Sequence, residues 1–104
     1  MTGRKEDRIV LLVRFQTKPG KTEFFLQQLR ALVKTMSAES NFVDFVIHHN
    51  IDKPEEIIVY ETWLGTRETF LKEELPRAYR KPYEETLSEF VENRSVEWLI
   101  PLHS

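Results

Sequence analysis

The sequence predicts a single α+β domain in which a four-stranded antiparallel sheet carries its helices on one face. The first observation behind this prediction is size, since 104 residues with 40% apolar and 12% aromatic side chains suffice for one core. The second is the order of apolar patterns along the chain, which alternate between the strand and helix periods as β-α-β-β-α-β. The third is that no repeat or linker divides the chain.

The first strand and the first helix are predicted from adjacent apolar patterns. Residues 8–17 are apolar and β-branched on both faces, which is typical of a strand buried on both sides. Residues 18–20 (Lys-Pro-Gly) end this strand, because proline has no N–H for the ladder and glycine permits a turn. A helix is predicted from Lys21 to Met36, with an apolar stripe at helical spacing. The stripe contains Phe25, Leu29, Leu32, Val33 and Met36.

The remaining elements complete the order of the ferredoxin-like split βαβ fold. Strands are predicted at 42–50 and 57–64, joined as an antiparallel hairpin through a turn at residues 52–54. Thr66 is the predicted N-cap of a short helix that ends near Leu75. A second helix is expected from Pro82 to about Glu92, with Tyr83, Leu87, Phe90 and Val91 on its apolar stripe. The last strand is predicted at 95–102.

Composition and charge exclude several classes of protein. The formal net charge of −2 and the absence of a basic stripe argue against a nucleic-acid partner. The longest apolar run, Ile9–Val13, is too short to cross a membrane, and no signal peptide is recognised. The chain has no cysteine, Gly-rich phosphate loop or metal-binding motif, so we expect neither a metal nor another cofactor. We predict a cytoplasmic protein with a disordered leader at 1–7 and one domain at 8–104.

The apolar pattern also predicts a homodimer. Helices from so short a chain can cover only one face of the sheet, yet the predicted strands carry apolar residues on both faces. Two copies packed through their second faces would remove that apolar surface from water. The alternative is that a few apolar side chains simply remain exposed, which is common in folded proteins.

Several short motifs resemble the antibiotic biosynthesis monooxygenase (ABM) family of the dimeric α+β barrel superfamily. They are the Lys18-Pro19-Gly20 turn before a helix with Glu23-Phe24, Glu39 before the second strand, Asp52 and Pro54 in the hairpin, Tyr60-Glu61-Thr62-Trp63, and Phe70. The resemblance covers roughly residues 8–102. It implies a ferredoxin-like fold, a homodimer whose sheets form a barrel, and a small pocket between sheet and helices.

The same resemblance implies several candidate activities for this protein. Some relatives oxidise quinols or aromatic polyketides with O₂ and need no metal or flavin, whereas others degrade haem, process small signalling metabolites or have no assigned activity. Quinol-oxidising relatives usually carry histidines where this sequence has Glu73 and Tyr79. The tryptophan and the histidine ligand of the haem-degrading relatives would fall near Glu73 and Tyr83. The missing ligand argues against haem degradation.

One cavity is predicted beside the second helical region. Trp63 ends the strand that leads into this region, and Tyr79 and Tyr83 follow Glu73 across a segment broken by Pro76 and Pro82. An irregular segment above a sheet leaves room for a ligand, and aromatic walls suit a flat phenol. We therefore expect Trp63, Glu73, Tyr79 and Tyr83 to border the cavity. The alternative is that Trp63 fills the core and Tyr83 lies on the core stripe of its helix.

The remaining candidates are polar residues on strands and a basic cluster. His48 and His49 are adjacent on a strand and therefore point to opposite faces, so they cannot bind one metal together. His48 is a candidate general base or a structural hydrogen-bonding group. Glu61 is either an acid–base group of raised pKa or the partner of Arg14 or of a helix arginine. Arg77, Arg80 and Lys81 either receive an anionic substrate or balance nearby glutamates.

These candidates support two hypotheses about function. The first is a cofactor-independent monooxygenase for a quinol or other small aromatic, with Glu73, Tyr79 and His48 as catalytic residues and Trp63, Tyr83, Glu61 and Arg14 as substrate-binding residues. The second is a dimeric small-molecule-binding or regulatory protein without turnover. The missing family histidines favour the second hypothesis, and the aromatic residues are neutral between the two.

Overall fold

The computed structural model describes residues 7–102, and its four strands form one antiparallel sheet in the order β2-β3-β1-β4. The strands are β1 (Arg8–Thr17), β2 (Phe42–Asn50), β3 (Lys53–Leu64) and β4 (Val91–Leu99). The helices are α1 (Thr22–Met36), α2 (Arg67–Thr69), which continues as a π-helical turn (Phe70–Glu74), and α3 (Arg80–Phe90). This arrangement confirms the predicted ferredoxin-like α+β fold.

The two faces of the sheet differ in what covers them. Alternate residues of β1, from Ile9 to Phe15, are buried against the helices, and we call this the helix face. The same face contains Ile57, Val59, Glu61 and Trp63 of β3. In α1 the buried stripe differs slightly from the predicted one, because Leu26 is buried whereas Val33 is only half-buried. The opposite face, which we call the open face, has no helix of residues 7–102 packed on it.

The ends of three elements differ from the sequence prediction. Strand β3 begins at Lys53 rather than at residue 57, because the ladder continues to the pair Asn50 and Lys53. Helix α3 begins at Arg80 and stops at Phe90, and β4 starts at Val91 rather than at residue 95. The reason is tertiary: Val91 pairs with Thr17, and the Phe90 carbonyl accepts a hydrogen bond from the N–H of Lys18 at 2.8 Å. Because of this pairing, Val91 belongs to β4, although it falls at the helical spacing of the apolar stripe of α3.

The short helix starts where the sequence predicts and then changes its geometry. The Thr66 side chain accepts a hydrogen bond from the Thr69 N–H at 3.2 Å, and the Thr69 hydroxyl accepts one from the Thr66 N–H at 2.8 Å. The chain then widens into the π turn. As a result Phe70 and Glu74, four residues apart, are both buried, whereas Glu73 is exposed.

Most of the predicted leader lies outside the residues that the structure describes. Residues 1–6 of the predicted leader lie outside the described residues, as does His103. Asp7 is described, and its carbonyl accepts a hydrogen bond from the Gly65 N–H at 2.8 Å. No helix within residues 7–102 is long and apolar enough to cross a membrane.

Candidate functional site

A cavity of about 230 Å³ lies between the helix face of the sheet and the helical layer. Its floor is formed by β1 and β3, its sides by α1, α3 and the π turn, and β4 borders its rim. Most of the lining is apolar, as in ligand sites generally. The polar and charged side chains among the lining residues are Glu61, Arg80, Tyr83, Glu84 and Arg94.

Glu61 is the carboxyl group that the fold places in this cavity. It lies in the middle of β3, opposite Leu11 on β1 and Phe45 on β2, and it is 6% exposed. Its Oε1 accepts a hydrogen bond from the Trp63 indole N–H at 2.9 Å. Burial raises the pKa of the Glu61 carboxyl, while the Trp63 hydrogen bond and the nearby Arg80 charge oppose the shift. A carboxyl group of this kind is suited to proton transfer.

Arg80 is the cationic group next to Glu61. It is the first residue of α3 and is 8% exposed, with its Nη2 atom 3.9 Å from Glu61 Oε1 and 3.2 Å from the sulfur of Met36. The guanidinium carbon lies 5.3 Å from the Phe70 ring centroid and 5.9 Å from that of Trp63, which are cation–π distances. Its buried Nε has no hydrogen-bond partner within the described part of the chain.

Sequence reasoning underestimated Arg80 because of the predicted helix boundary. Arg80 lies three residues before Tyr83 and seven before Leu87, so it extends the apolar stripe of α3 by one turn. With the helix predicted to begin at Pro82, Arg80 fell outside that stripe and was grouped with Arg77 and Lys81. That spacing was the signal that could have identified Arg80 as an inward-facing residue.

Trp63 lies in the core beside the cavity and is not one of its lining residues. Its side chain is 0% exposed and makes edge-to-face contacts with Phe42 and Phe70 at centroid distances of 5.4 and 5.5 Å. The expectation that Trp63 borders the cavity is therefore wrong. Its contact with the site is indirect, through the hydrogen bond that it donates to Glu61.

Of the other three residues expected around the cavity, only Tyr83 lines it. Burial is the main cause that raises the pKa of the Tyr83 hydroxyl above its ordinary value. Tyr79 is half-buried and packs against the core outside the lining; its pKa is also raised, mainly by burial. Glu73 is exposed on the outer side of the π turn and does not reach the cavity. The expected clustering is wrong for Tyr79 and Glu73.

His48 and Arg14 lie on the open face, on the other side of the sheet from the cavity. His48 is exposed, its Nδ1 is 3.2 Å from the Ile58 carbonyl oxygen, and its ring is 5.6 Å from that of Tyr60. Arg14 is exposed and pairs across the sheet with Ile58 and Ser95. Of the two partners considered for Glu61, the structure therefore favours a helix arginine, Arg80, over Arg14.

The ionisable groups outside the cavity do not assemble a metal site. Within residues 7–102, no three histidine, aspartate or glutamate side chains lie close enough together to hold a metal ion. At the rim of the cavity, Arg94 and Glu84 form an ion pair at 2.8 Å. The chemistry that the cavity itself offers is therefore acid–base and electrostatic, through Glu61 and Arg80.

The raised pKa of Glu61 predicts a pH-dependent stability. Above the ordinary glutamate pKa of 4.5, the unfolded chain releases this proton before the folded protein does. The contribution of Glu61 to the free energy of unfolding should therefore fall as pH rises towards the pKa of Glu61 in the folded protein. Glu61→Gln removes the titration, so its stability relative to wild type should increase with pH. Urea unfolding at a series of pH values measures this, with the exposed Glu85→Gln as control. An unchanged difference across that range would contradict the prediction.

Comparison with solved structures agrees with this fold. The solved structure of PA3566 from Pseudomonas aeruginosa aligns with a TM-score of 0.83 at 19% identity, covering 97% of this chain and 100% of that one. A proposed antibiotic biosynthesis monooxygenase from Nitrosomonas europaea aligns with a TM-score of 0.81 at 23% identity, covering 92% and 91%. At these identities the likeness shows the fold alone.

A third solved structure carries a described activity. SnoaB, a cofactor-independent oxygenase from Streptomyces nogalater, aligns with a TM-score of 0.81 at 14% identity, covering 94% of this chain and 96% of that one. None of the curated proteins matches the sequence. The family model described as antibiotic biosynthesis monooxygenase matches residues 8–64, which is more than half of the chain. The chain therefore belongs to the antibiotic biosynthesis monooxygenase family.

Proposed function

We propose that this protein is a cofactor-independent monooxygenase that uses O₂ to oxidise a quinol or another small phenolic aromatic. The observation that carries the proposal is the burial of Glu61 in an apolar cavity at the centre of the domain. Family membership and the similarity in fold to a cofactor-independent oxygenase support the same reaction class.

The reaction requires a proton acceptor and a dry site. Glu61 in its ionised form takes the proton of a ring hydroxyl, and the resulting anion has carbanion character at a ring carbon that bears hydrogen. That carbon reduces O₂ and forms a C–O bond. Loss of the ring C–H proton and cleavage of the O–O bond then give a ring carbonyl, and the second oxygen atom leaves as water. The substrate supplies all four electrons, so the equation balances as phenol plus O₂ giving quinone plus water.

The side chains around Glu61 have supporting roles in this proposal. The Tyr83 hydroxyl, which stays protonated because burial raises its pKa, donates a hydrogen bond to a substrate oxygen. The apolar walls exclude water and protect the anion from reprotonation. Trp63 donates to Glu61 and thereby fixes the orientation of the carboxyl group.

Oxygen consumption with chelator-treated protein tests the proposal directly. A panel of one- and two-ring quinols and naphthols is offered, and consumption by heat-denatured protein is subtracted because quinols oxidise slowly in air. With ¹⁸O₂, the product should gain one labelled oxygen atom. Saturable binding of these compounds without consumption above the denatured control would refute the oxygenase and favour the alternative, a small-molecule-binding or regulatory protein.

We also propose that the protein is a homodimer that associates through the open face of the sheet. On this face Val46 and Tyr60, which lie within β2 and β3, are 40% and 49% exposed, and Leu99 at the end of β4 is 40% exposed. Val10, Leu12 and Ile58 lie between them and extend the apolar patch. A second copy covering this face would bury the patch without changing the helix face.

Sedimentation equilibrium tests the dimer. At micromolar concentration the wild-type protein should sediment at twice the 12.4 kDa chain mass. Tyr60→Glu places a carboxylate in the middle of the apolar patch and should shift the protein towards the monomer, because burying an unpaired charge is costly. The matched control is Phe24→Glu, since Phe24 is 54% exposed on α1, away from this face. A folded wild-type monomer at micromolar concentration would refute the proposal.

A further inference from the structure

We propose that the ligand of the cavity is an aromatic molecule of one or two rings that carries an anionic oxygen, and that Arg80 binds this oxygen. The inference rests on the proposed function and adds the charge and the size of the ligand. It predicts binding as well as turnover, so each can be tested separately.

Arg80 is incompletely paired within the described part of the chain. Its side chain is buried, yet the nearest carboxylate atom, Glu61 Oε1, lies at 3.9 Å, beyond hydrogen-bond distance. That oxygen already accepts the Trp63 N–H, and the buried Nε of Arg80 has no hydrogen-bond partner in the described chain. A buried cation without a hydrogen-bonded anion is costly, and cation–π contacts offset only part of the cost. A ligand anion would complete the pairing.

The groups around Arg80 leave its charge available to a ligand. Glu61 Oε1 accepts the Trp63 N–H and lies 3.9 Å from Arg80 Nη2, so this carboxyl group does not hydrogen-bond to Arg80. Tyr83 of α3 is neutral, and Glu84 and Arg94 at the rim neutralise each other. The lining residues from α1 and the π turn are apolar. An anionic oxygen that enters the cavity therefore meets the Arg80 guanidinium, which has hydrogen-bond donors left to offer, and the planar guanidinium matches a carboxylate or a phenolate.

The volume of the cavity limits the size of the ligand. A dry cavity of about 150 Å³ accommodates benzene, and sites for drug-sized ligands span about 300–1,000 Å³. At about 230 Å³, this cavity fits one substituted ring or two fused rings. A ligand of four fused rings does not fit without movement of the core side chains that line it.

Binding calorimetry with three probes tests charge and size. The probes are 2-naphthoate, its neutral isostere 2-naphthamide, and pyrene-1-carboxylate, which carries the same charge on four rings. On wild-type protein we expect 2-naphthoate to bind at least tenfold more tightly than the amide, and pyrene-1-carboxylate to show no binding in the cavity. Equal affinity for the amide would refute the charge assignment, and tight pyrene-1-carboxylate binding would refute the size limit.

Variants assign the effect to Arg80. Arg80→Gln should weaken 2-naphthoate binding at least tenfold and leave the amide unchanged, whereas Lys81→Gln, which removes an exposed charge next to it, should change neither. Unchanged naphthoate binding by a folded Arg80→Gln variant would refute the role of Arg80. If that variant does not fold, Arg80→Lys keeps a cation and should still bind 2-naphthoate more tightly than the amide; equal affinities for the two probes in the folded Arg80→Lys variant would refute the binding of the anion by the charge at position 80.

Probe binding and oxygen consumption together distinguish failure of the Arg80 assignment from failure of the proposed function. Preference for the carboxylate without oxygen consumption for any phenol would support the charge assignment while refuting the monooxygenase. Oxygen consumption by a protein that does not prefer 2-naphthoate over the amide would support the monooxygenase while refuting the anion-binding role of Arg80.

Discussion

Replacing Trp63 with alanine is expected to lower the free energy of unfolding by about 3–5 kcal/mol, the usual cost of truncating a fully buried large aromatic. Trp63 is 0% exposed, packs edge-to-face against Phe42 and Phe70, and donates its indole N–H to the buried Glu61. Its removal would leave a cavity in the core and a carboxyl group without its donor. Urea unfolding monitored by circular dichroism at fixed protein concentration measures the effect.

Trp98 provides the matched control, because it is the other of the two tryptophans in the chain. Trp98 is only half-buried and lines the cavity, where it contacts Phe70 at a centroid distance of 5.7 Å. Trp98→Ala should therefore destabilise the protein less than Trp63→Ala. If Trp63→Ala proves as stable as wild type, the assignment of Trp63 to the closed core is wrong.

Glu61→Gln is expected to lower kcat/KM for a phenolic substrate by about 10²- to 10⁴-fold, the usual contribution of a general base. Glutamine keeps the shape of the side chain and an oxygen that accepts the Trp63 N–H, so the change removes the proton acceptor and little else. The comparison is Glu73→Gln, since Glu73 is the carboxyl group that the sequence favoured and the fold leaves exposed. We expect that variant to retain wild-type activity.

The pH dependence separates a base from a merely structural carboxyl group. As pH rises, a growing fraction of the phenol ionises in solution and no longer needs a base in the cavity. The activity deficit of Glu61→Gln should therefore shrink at high pH. A deficit that is the same at every pH, or a loss of less than about threefold, would contradict the assignment of Glu61 as the proton acceptor.

Most of the fold could be predicted from local patterns. The continuous apolar run of β1, the stripe of α1 and the Thr66 cap each depend on neighbours in sequence, and each is present in the structure. The errors lie at element ends. Val91 falls at the helical spacing of the α3 stripe, but its β-branched side chain favours a strand. Its pairing with Thr17 places it in β4.

The candidate site was predicted less well, because its geometry depends on residues distant in sequence. Spacing along the chain placed Trp63 and Glu73 around one cavity, but the π turn directs Phe70 and Glu74 inward and leaves Glu73 in solvent. Conversely, Arg80 looked like one of several surface charges. It is buried because α3 begins two residues earlier than predicted, and its side chain packs against Met36 of α1.

The sequence by itself determined the fold class, the two-faced sheet and the motifs of the family, since these follow from residue types at local spacings. Only the tertiary structure decided which face of β3 meets the helices and which charges share a cavity. Strand alternation assigns Glu61 and Trp63 to one face and Tyr60 to the other, but it does not say which face is covered. That choice depends on packing between α1, α3 and the sheet, which brings Arg80 next to Glu61 across nineteen positions of sequence.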